Sequence, residues 1–313
     1  MKKITVIIMA MILCVVGVMS AAGCSANGEK NISVVAREQG SGTREAFDKV
    51  VTDGQGNYLE MKVDGKKVYN TTDSADIQKE TGNVLSKVAS DKNAIGYVSL
   101  GSVNETVKVV KVNGVAPSDK TVLDGTYAIQ RPYVIMTSST VTLNDITADF
   151  LKYLKSDVCK TFAYQTGCIF LSDSAKRANA GEPAVPVEKY EVLASLPQGG
   201  KITINGSTSM EKFIKKAMSG YVSLYGKTAD ELFTLDLQGS SVGKTAAKND
   251  KKGNVIGLSS ASVKEDGINS FNVCLDAVAV IVNNDNAKIN DLTINQLYDI
   301  FSGKITKFSE IAG

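Results

Sequence analysis

Arg37, Ser41, Gly42 and Thr43 fall within one short run, REQGSGTR, at residues 37–44. These residue types suit an oxyanion. A guanidinium offers a planar fork of N–H donors, and hydroxyls add single donors beside it. Glycines let backbone amides approach a ligand closely. The run follows an apolar stretch at 32–36, and after it Ala46, Phe47, Val50 and Val51 share one helical face. A strand, a turn and a helix start aim the turn amides and the positive helix end the same way. No side chain in the run is an evident nucleophile or general base. The residues are equipped to hold an anion rather than to react with it.

Three further turns have the same make-up. A strand-like stretch at 201–205 leads into Gly206, Ser207, Thr208 and Ser209. Met210, Phe213, Ile214, Ala217 and Met218 then keep helical spacing. Thr208 and Glu211 fit a capping box, which would start the helix at Ser209 and leave the amides of Ser209 and Met210 facing an anion. Residues 239–245, GSSVGKT, contain Ser240 and Ser241 and imitate the nucleotide P-loop. They place three residues, not four, before Gly-Lys-Thr, so the phosphate cradle of that motif is not formed. A fourth short strand, at 255–258, ends in Ser259 and Ser260. One such turn is ordinary junction chemistry. Their repetition in a single chain points to a shared ligand.

The elements that must carry these turns alternate. Residues 93–100 and 276–282 read as buried strands. Residues 292–301 read as an amphipathic helix with Leu292, Ile294, Leu297, Ile300 and Phe301 as its apolar set. Alternating strands and helices predict an α/β architecture. Polar stretches at 116–121 and 173–186 read as loops.

The chain has 313 residues, enough for two domains. It contains no histidine, which removes Ser-His and Cys-His catalysis and the usual zinc sites. No Asp/Glu cluster with metal-ligand spacing takes their place, so no enzyme, metal or cofactor is expected. Tryptophan is absent and aromatics are 6%, which disfavours a stacked sugar ligand. Lys2 and Lys3 precede an apolar run at 4–19, followed by Ala21, Ala22, Gly23 and Cys24. That is the layout of an export signal over residues 1–23. Small residues directly before a cysteine resemble a bacterial lipobox, although Ala21 stands where leucine is usual. In such signals Cys24 would be lipidated and would become the first residue of the mature chain, with 24–30 as a tether. Plain secretory cleavage is the alternative. Loss of residues 1–23 takes two lysines and no acid, leaving 33 basic and 33 acidic residues. A neutral exported chain has no electrostatic footprint for nucleic acid. Cys159 and Cys168 either pair as a disulfide or stay as buried thiols, and Cys274 reads as a core residue.

Five segments together resemble the phosphate-binding protein of bacterial phosphate ABC transporters. They are REQGSGTREAF (37–47), INGSTSMEKF (204–213), VIGLSSASVKE (255–265), DAVAVIVNNDN (276–286) and LYDIFSGKITKFSEIAG (297–313). The resemblance covers nearly all of the chain beyond the signal. It implies a two-lobe periplasmic-binding-protein type II fold with the ligand between the lobes. In that family the GSTS element comes first, and the GSGTR strand follows IFSGKIT at once. Here GSGTR leads, and joining Gly313 to Asn31 would restore the family order. The chain therefore looks circularly permuted, with a truncated tandem array as the rival explanation. The resemblance implies one discontinuous lobe, 31–103 plus 284–313, and one continuous lobe, 104–283, with crossovers near 100–104 and 282–284.

The resemblance also implies a ligand shell. Its members are Arg37, Ser41, Gly42, Thr43, Ser209, Met210, either Ser240 or Ser241, and the fourth loop at Ser260. Some members of the family carry Asp two residues after the Arg and Asp in the fourth loop. Gln39 and Ser260 stand there in this chain, which weakens the expected exclusion of sulfate. Asp276 either acts near Arg37 or is a strand-end structural residue. The implied function is a lipid-anchored receptor on the extracytoplasmic face of the cell membrane. It would capture inorganic phosphate for the permease and ATPase subunits of an ABC importer. Another oxyanion such as sulfate or molybdate, or a degenerate surface protein of the same fold, are the alternatives.

Overall fold

A computed structural model describes residues 30–170 and 188–311. The expected signal segment, Cys24 and the loop expected at 173–186 lie outside these residues. The first stretch runs β1 (Ser33–Arg37), α1 (Gly42–Asp48), β2 (Glu60–Val63), β3 (Lys66–Tyr69), β4 (Asp76–Gln78), α2 (Thr81–Ser90), β5 (Ala94–Ser99) and β6 (Val107–Val112). It continues with α3 (Asp119–Leu123), β7 (Gln130–Ser138), α4 (Asp145–Leu154), α5 (Asp157–Gln165) and β8 (Ile169–Phe170). The second stretch runs β9 (Ile202–Gly206), α6 (Glu211–Leu224), α7 (Ala229–Leu232), β10 (Phe233–Asp236), α8 (Ser240–Asn249) and β11 (Val255–Ser259). It ends with β12 (Ile268–Asn283), β13 (Asp291–Leu292) and α9 (Ile294–Phe301).

The main sheet runs β10-β9-β11-β7-β12-β5-β1-β4. Parallel trios flank it, β10-β9-β11 on one side and β5-β1-β4 on the other. Between them lies β12, whose 16 residues change partner midway. Its first part, as far as Ala277, pairs antiparallel with β7. From Val278 it pairs with β5 and β6. The run from Val273 to Val282, apolar except for Asp276, is buried on both faces, as such runs are in covered sheets.

Two hydrophobic cores form around this strand. One gathers Phe47, Tyr97 and Phe301, with the Phe47 and Tyr97 rings stacked at 4.1 Å. The other gathers Phe150, Tyr153, Tyr221 and Phe233. Truncating a ring such as Phe47 would cost about 3–5 kcal/mol through lost transfer energy and a cavity. The first core also takes Val110, Val112, Val122, Tyr127 and Ile129. Residues 110–129 thus share a core with Phe47, Tyr97 and Phe301 and with the second half of β12. The physical cause is β6, which hydrogen-bonds to the second half of β12.

Local chemistry explains most element ends. Ser41 caps α1 by accepting the Thr43 and Arg44 amides. Thr293 and Gln296 form a capping box that starts α9, and Leu292, expected in that helix, instead pairs with β6. The stretch expected as a loop at 116–121 contains the start of α3, capped by Ser118. The chain returning at Tyr190 is pinned by Asp149, which accepts the hydroxyls of Tyr190 and Tyr221 at 2.7 Å each. At the other extreme, the Ile32 amide donates to the Thr306 carbonyl at 2.7 Å, so the two ends of the described fold lie side by side. Among the described residues, no helix is long and apolar enough to cross a membrane.

Candidate functional site

The four Gly/Ser turns converge. Thr43, in the first turn of α1, places Oγ1 2.9 Å from Ser209 Oγ. Ser207 Oγ donates to Ser260 Oγ at 2.8 Å, and Ser240 Oγ lies 3.3 Å from the same atom. The Ser260 amide donates to Ser240 Oγ at 3.1 Å. All five hydroxyl residues are buried. Gly42 lies against two of them: a Cβ there would meet Ser240 Oγ and Ser260 Oγ, each at 2.6 Å. Gly40 has φ +125, and its carbonyl accepts the Ser241 amide at 3.2 Å. Ser240 is buried in the hydroxyl cluster while Ser241 is exposed, which separates two residues that the sequence left equivalent.

Arg37 is buried at the end of β1, and its guanidinium is engaged by the protein. Nε and Nη2 meet the Glu38 carboxylate at 3.0 and 3.1 Å. Nη2 also donates to the Lys79 carbonyl, and Nη1 donates to Thr81 Oγ1. Thr81 Oγ1 in turn lies 3.1 Å from Thr208 Oγ1, so Arg37 borders the Ser209 turn through a hydroxyl pair. Neighbours on a strand point to opposite faces, so the Arg37–Glu38 pair was not foreseeable from spacing. It forms because the strand ends at Arg37 and the chain turns.

Several expected details are corrected. The helix after Ser209 starts at Glu211, behind a short 3-10 turn at Thr208–Met210, and no capping box forms. Thr208 is held by Thr81 instead, and Glu211 pairs with Lys215. The Met210 amide donates to the Ser207 carbonyl, so it is used within the turn. Ser41 Oγ is likewise occupied in capping α1. Cys159, Cys168 and Cys274 are free, buried thiols. Burial pushes the Cys159 thiol well above its ordinary range.

Asp276 does not meet Arg37. It is fully buried on β12 and takes two bonds from Arg131, at 3.0 Å from Nε and 2.9 Å from Nη2. Burial pushes the Asp276 carboxyl up, and the Arg131 charge pulls it back down. A second buried pair, Arg44–Asp48 at 2.9 Å, supports the first turn from below. Arg44 also donates to the Arg37 carbonyl at 2.8 Å. Burial raises Asp48 to about 6 against the opposing pull of Arg44. Arg131, Glu38, Ser207 and Thr81 were not singled out by sequence. Ser207 and Glu38 lie inside singled-out motifs, whereas Arg131 and Thr81 carried no signal. Among the described residues, no group of three or more His, Cys, Asp or Glu is placed to hold a metal ion.

A buried cluster of hydroxyls thus lies where strand ends from two cores meet. The profile of the PBP superfamily domain matches residues 24–158 and 192–313. The phosphate-binding protein PstS 2 of Streptococcus pneumoniae serotype 4 is 35% identical over 292 residues, covering 92% of this chain and 89% of the relative. PstS 2 of Streptococcus agalactiae serotype V is 32% identical over 321 residues, covering 100% of both. The crystal structure of a phosphate ABC transporter phosphate-binding protein from S. pneumoniae TIGR4 matches with a TM-score of 0.64 at 33% identity. That match covers 90% of this chain and 100% of the other. The chain belongs to the PBP superfamily, and its fold is that of the periplasmic-binding proteins. The two PstS 2 relatives are named as phosphate-binding proteins, and the crystal structure as the phosphate-binding protein of a phosphate ABC transporter.

Proposed function

We propose that this chain captures inorganic phosphate between its two lobes and hands it to the permease of an ABC importer. The observation that carries this reading is the pairing of Thr43 with Ser209 beside the Ser207–Ser260–Ser240 hydroxyl set that lies against Gly42. The names of the relatives supply the ligand. Phosphate enters when the lobes part. The Thr43–Ser209 and Thr81–Thr208 contacts and the Ser241–Gly40 bond then give way. Hydroxyls that bond to one another in the closed arrangement turn their O–H groups onto the anion's oxygens. A ligand held by fixed donors in a dry site replaces water without reorganising them, which favours tight, selective capture. Arg37, Ser41, Gly42, Thr43, Ser209, Met210, Ser240, Ser241 and Ser260 form or border the pocket. Of these, the hydroxyls of Thr43, Ser209, Ser240 and Ser260 contact the ligand. Arg37 contributes charge from the rim.

One lobe comprises 31–129 plus the second half of β12 and everything after it. The other comprises the remaining residues of 130–170 and 188–277, with crossovers on β7 near Arg131 and on β12 near Asp276. The side-by-side placement of Ile32 and Thr306 supports the permuted order, since it requires neighbouring ends. Residues 1–23 direct export, and a lipid on Cys24 holds the protein at the outer face of the cell membrane. Metabolic labelling with palmitate, lost in Cys24→Ala, tests the anchor.

Isothermal titration with phosphate and with sulfate tests the ligand. A saturable isotherm for phosphate, undisturbed by excess sulfate, is expected. Equal competition by sulfate would turn the reading towards a general oxyanion receptor.

A further inference from the structure

Beneath the hydroxyl cluster lies a second polar group that the binding reading leaves unused. Asp276 sits on β12 where that strand passes from β7 to β5. One carboxylate oxygen takes both bonds from Arg131. The other accepts Ser99 Oγ at 2.8 Å. Ser99 is the last residue of β5, in the half of the sheet built on the first core. Its Oγ lies 2.7 Å from the Tyr133 hydroxyl, whose single proton is shared between Ser99 Oγ and the Ser209 carbonyl, 2.8 Å away. Arg131 Nη1 reaches the Ser260 carbonyl at 3.5 Å. Ser99, Arg131, Tyr133 and Asp276 are all buried.

Two features set this network apart from an ordinary buried ion pair. Its outputs are the main-chain carbonyls of Ser209 and Ser260, the two residues whose hydroxyls come from different turns of the same cluster. Its input from Ser99 comes from the opposite half of the sheet. We infer that Asp276 is a positioning residue for the anion site. Through Arg131, and through Ser99 and Tyr133, it fixes the peptide groups of Ser209 and Ser260 and so aims their hydroxyls at one point. A fixed carbonyl holds the turn that carries the hydroxyl, and misaimed donors bind an anion weakly. The network touches no ligand and acts only through the two serines. This inference rests on the proposed phosphate site.

The test uses variants that leave the Arg131–Asp276 pair intact. Tyr133→Phe keeps the ring and removes only the donor to Ser209, and Ser99→Ala removes the link to the other half. Each is expected to weaken phosphate binding about tenfold by isothermal titration, the size of one well-made hydrogen bond lost at a buried site. A purely structural role predicts lower melting temperatures with unchanged affinity. Coupling separates the two further. Tyr133→Phe combined with Ser209→Ala should bind no more weakly than Ser209→Ala alone, because Tyr133 acts through Ser209. If the wild-type chain binds phosphate and both single variants bind it equally well, the inference is overturned while the functional reading stands. If the wild type takes up no phosphate, both fall together.

Discussion

Thr43 Oγ1 and Ser209 Oγ stand 2.9 Å apart, although 166 residues separate them in sequence. Thr43 belongs to the helix that buries Phe47 in the first core, and Ser209 precedes Met210 in the second. Their contact is therefore a direct tie between the two halves, made by the same oxygens that an anion would use.

Removing one of these hydroxyls should cost binding rather than folding. Hydrogen bonds to charged groups contribute about 1.5–3 kcal/mol, so Ser209→Ala should weaken phosphate by roughly ten- to a hundredfold. Thr43→Val should do the same. Titration of the single and double variants checks this, and a non-additive cycle would show that both hydroxyls serve one ligand.

Gly42→Ala should close the site to its ligand. The added methyl would sit 2.6 Å from two serine oxygens and 2.7 Å from the Ser260 carbonyl carbon, and a backbone atom cannot step aside as a flexible side chain can. Alanine is a better helix former than glycine, so α1 itself should not suffer. Circular dichroism close to wild type, with phosphate affinity lowered at least a hundredfold, is the expected pair of results.

These turns were legible in the sequence because glycine, serine and threonine after a strand leave little else to read. The buried strands at 94–99 and 276–282 were legible from their apolar runs. Other features were hidden by distance or by continuity. Arg131 lies 145 residues from Asp276, and no spacing rule joins them. The change of partner along β12 was hidden because the strand is apolar on both sides of Asp276 and continues from one core into the other. The start of α6 moved from Ser209 to Glu211 because Thr81, far off in sequence, claims the Thr208 hydroxyl that local capping would have used. Tertiary contacts overrode a sound local signal.

Asp48 should shape the acid side of the stability profile. Its carboxyl is raised from 3.8 to about 6 in the folded state, first by burial. The folded form therefore binds its proton more readily than the unfolded chain. This group's contribution is full below pH 4 and is lost as pH rises through about 6, amounting to about 3 kcal/mol at most. Arg44, Glu60 and Tyr97 surround it, and Arg44 limits the shift. Urea unfolding between pH 4 and pH 7.5 should show this slope in the wild type. In Asp48→Asn this part of the slope should be lost, although the variant should be less stable overall because Arg44 loses its partner.

Cys159, Cys168 and Cys274 should resist modification in the folded chain. Each is at most 3% exposed. Differential alkylation read by mass spectrometry should find all three unmodified under native conditions and all three alkylated in urea without a reducing agent. A bridged pair, silent until reduced, would show that the folded protein carries a disulfide.

The most direct test of the central claim is a crystal structure of the chain grown with phosphate. Tetrahedral density should lie between the first residues of α1 and α8. Its oxygens should be within hydrogen-bond distance of Thr43, Ser209, Ser240 and Ser260. A structure in which those hydroxyls still bond to one another, with phosphate bound elsewhere or not at all, would contradict it.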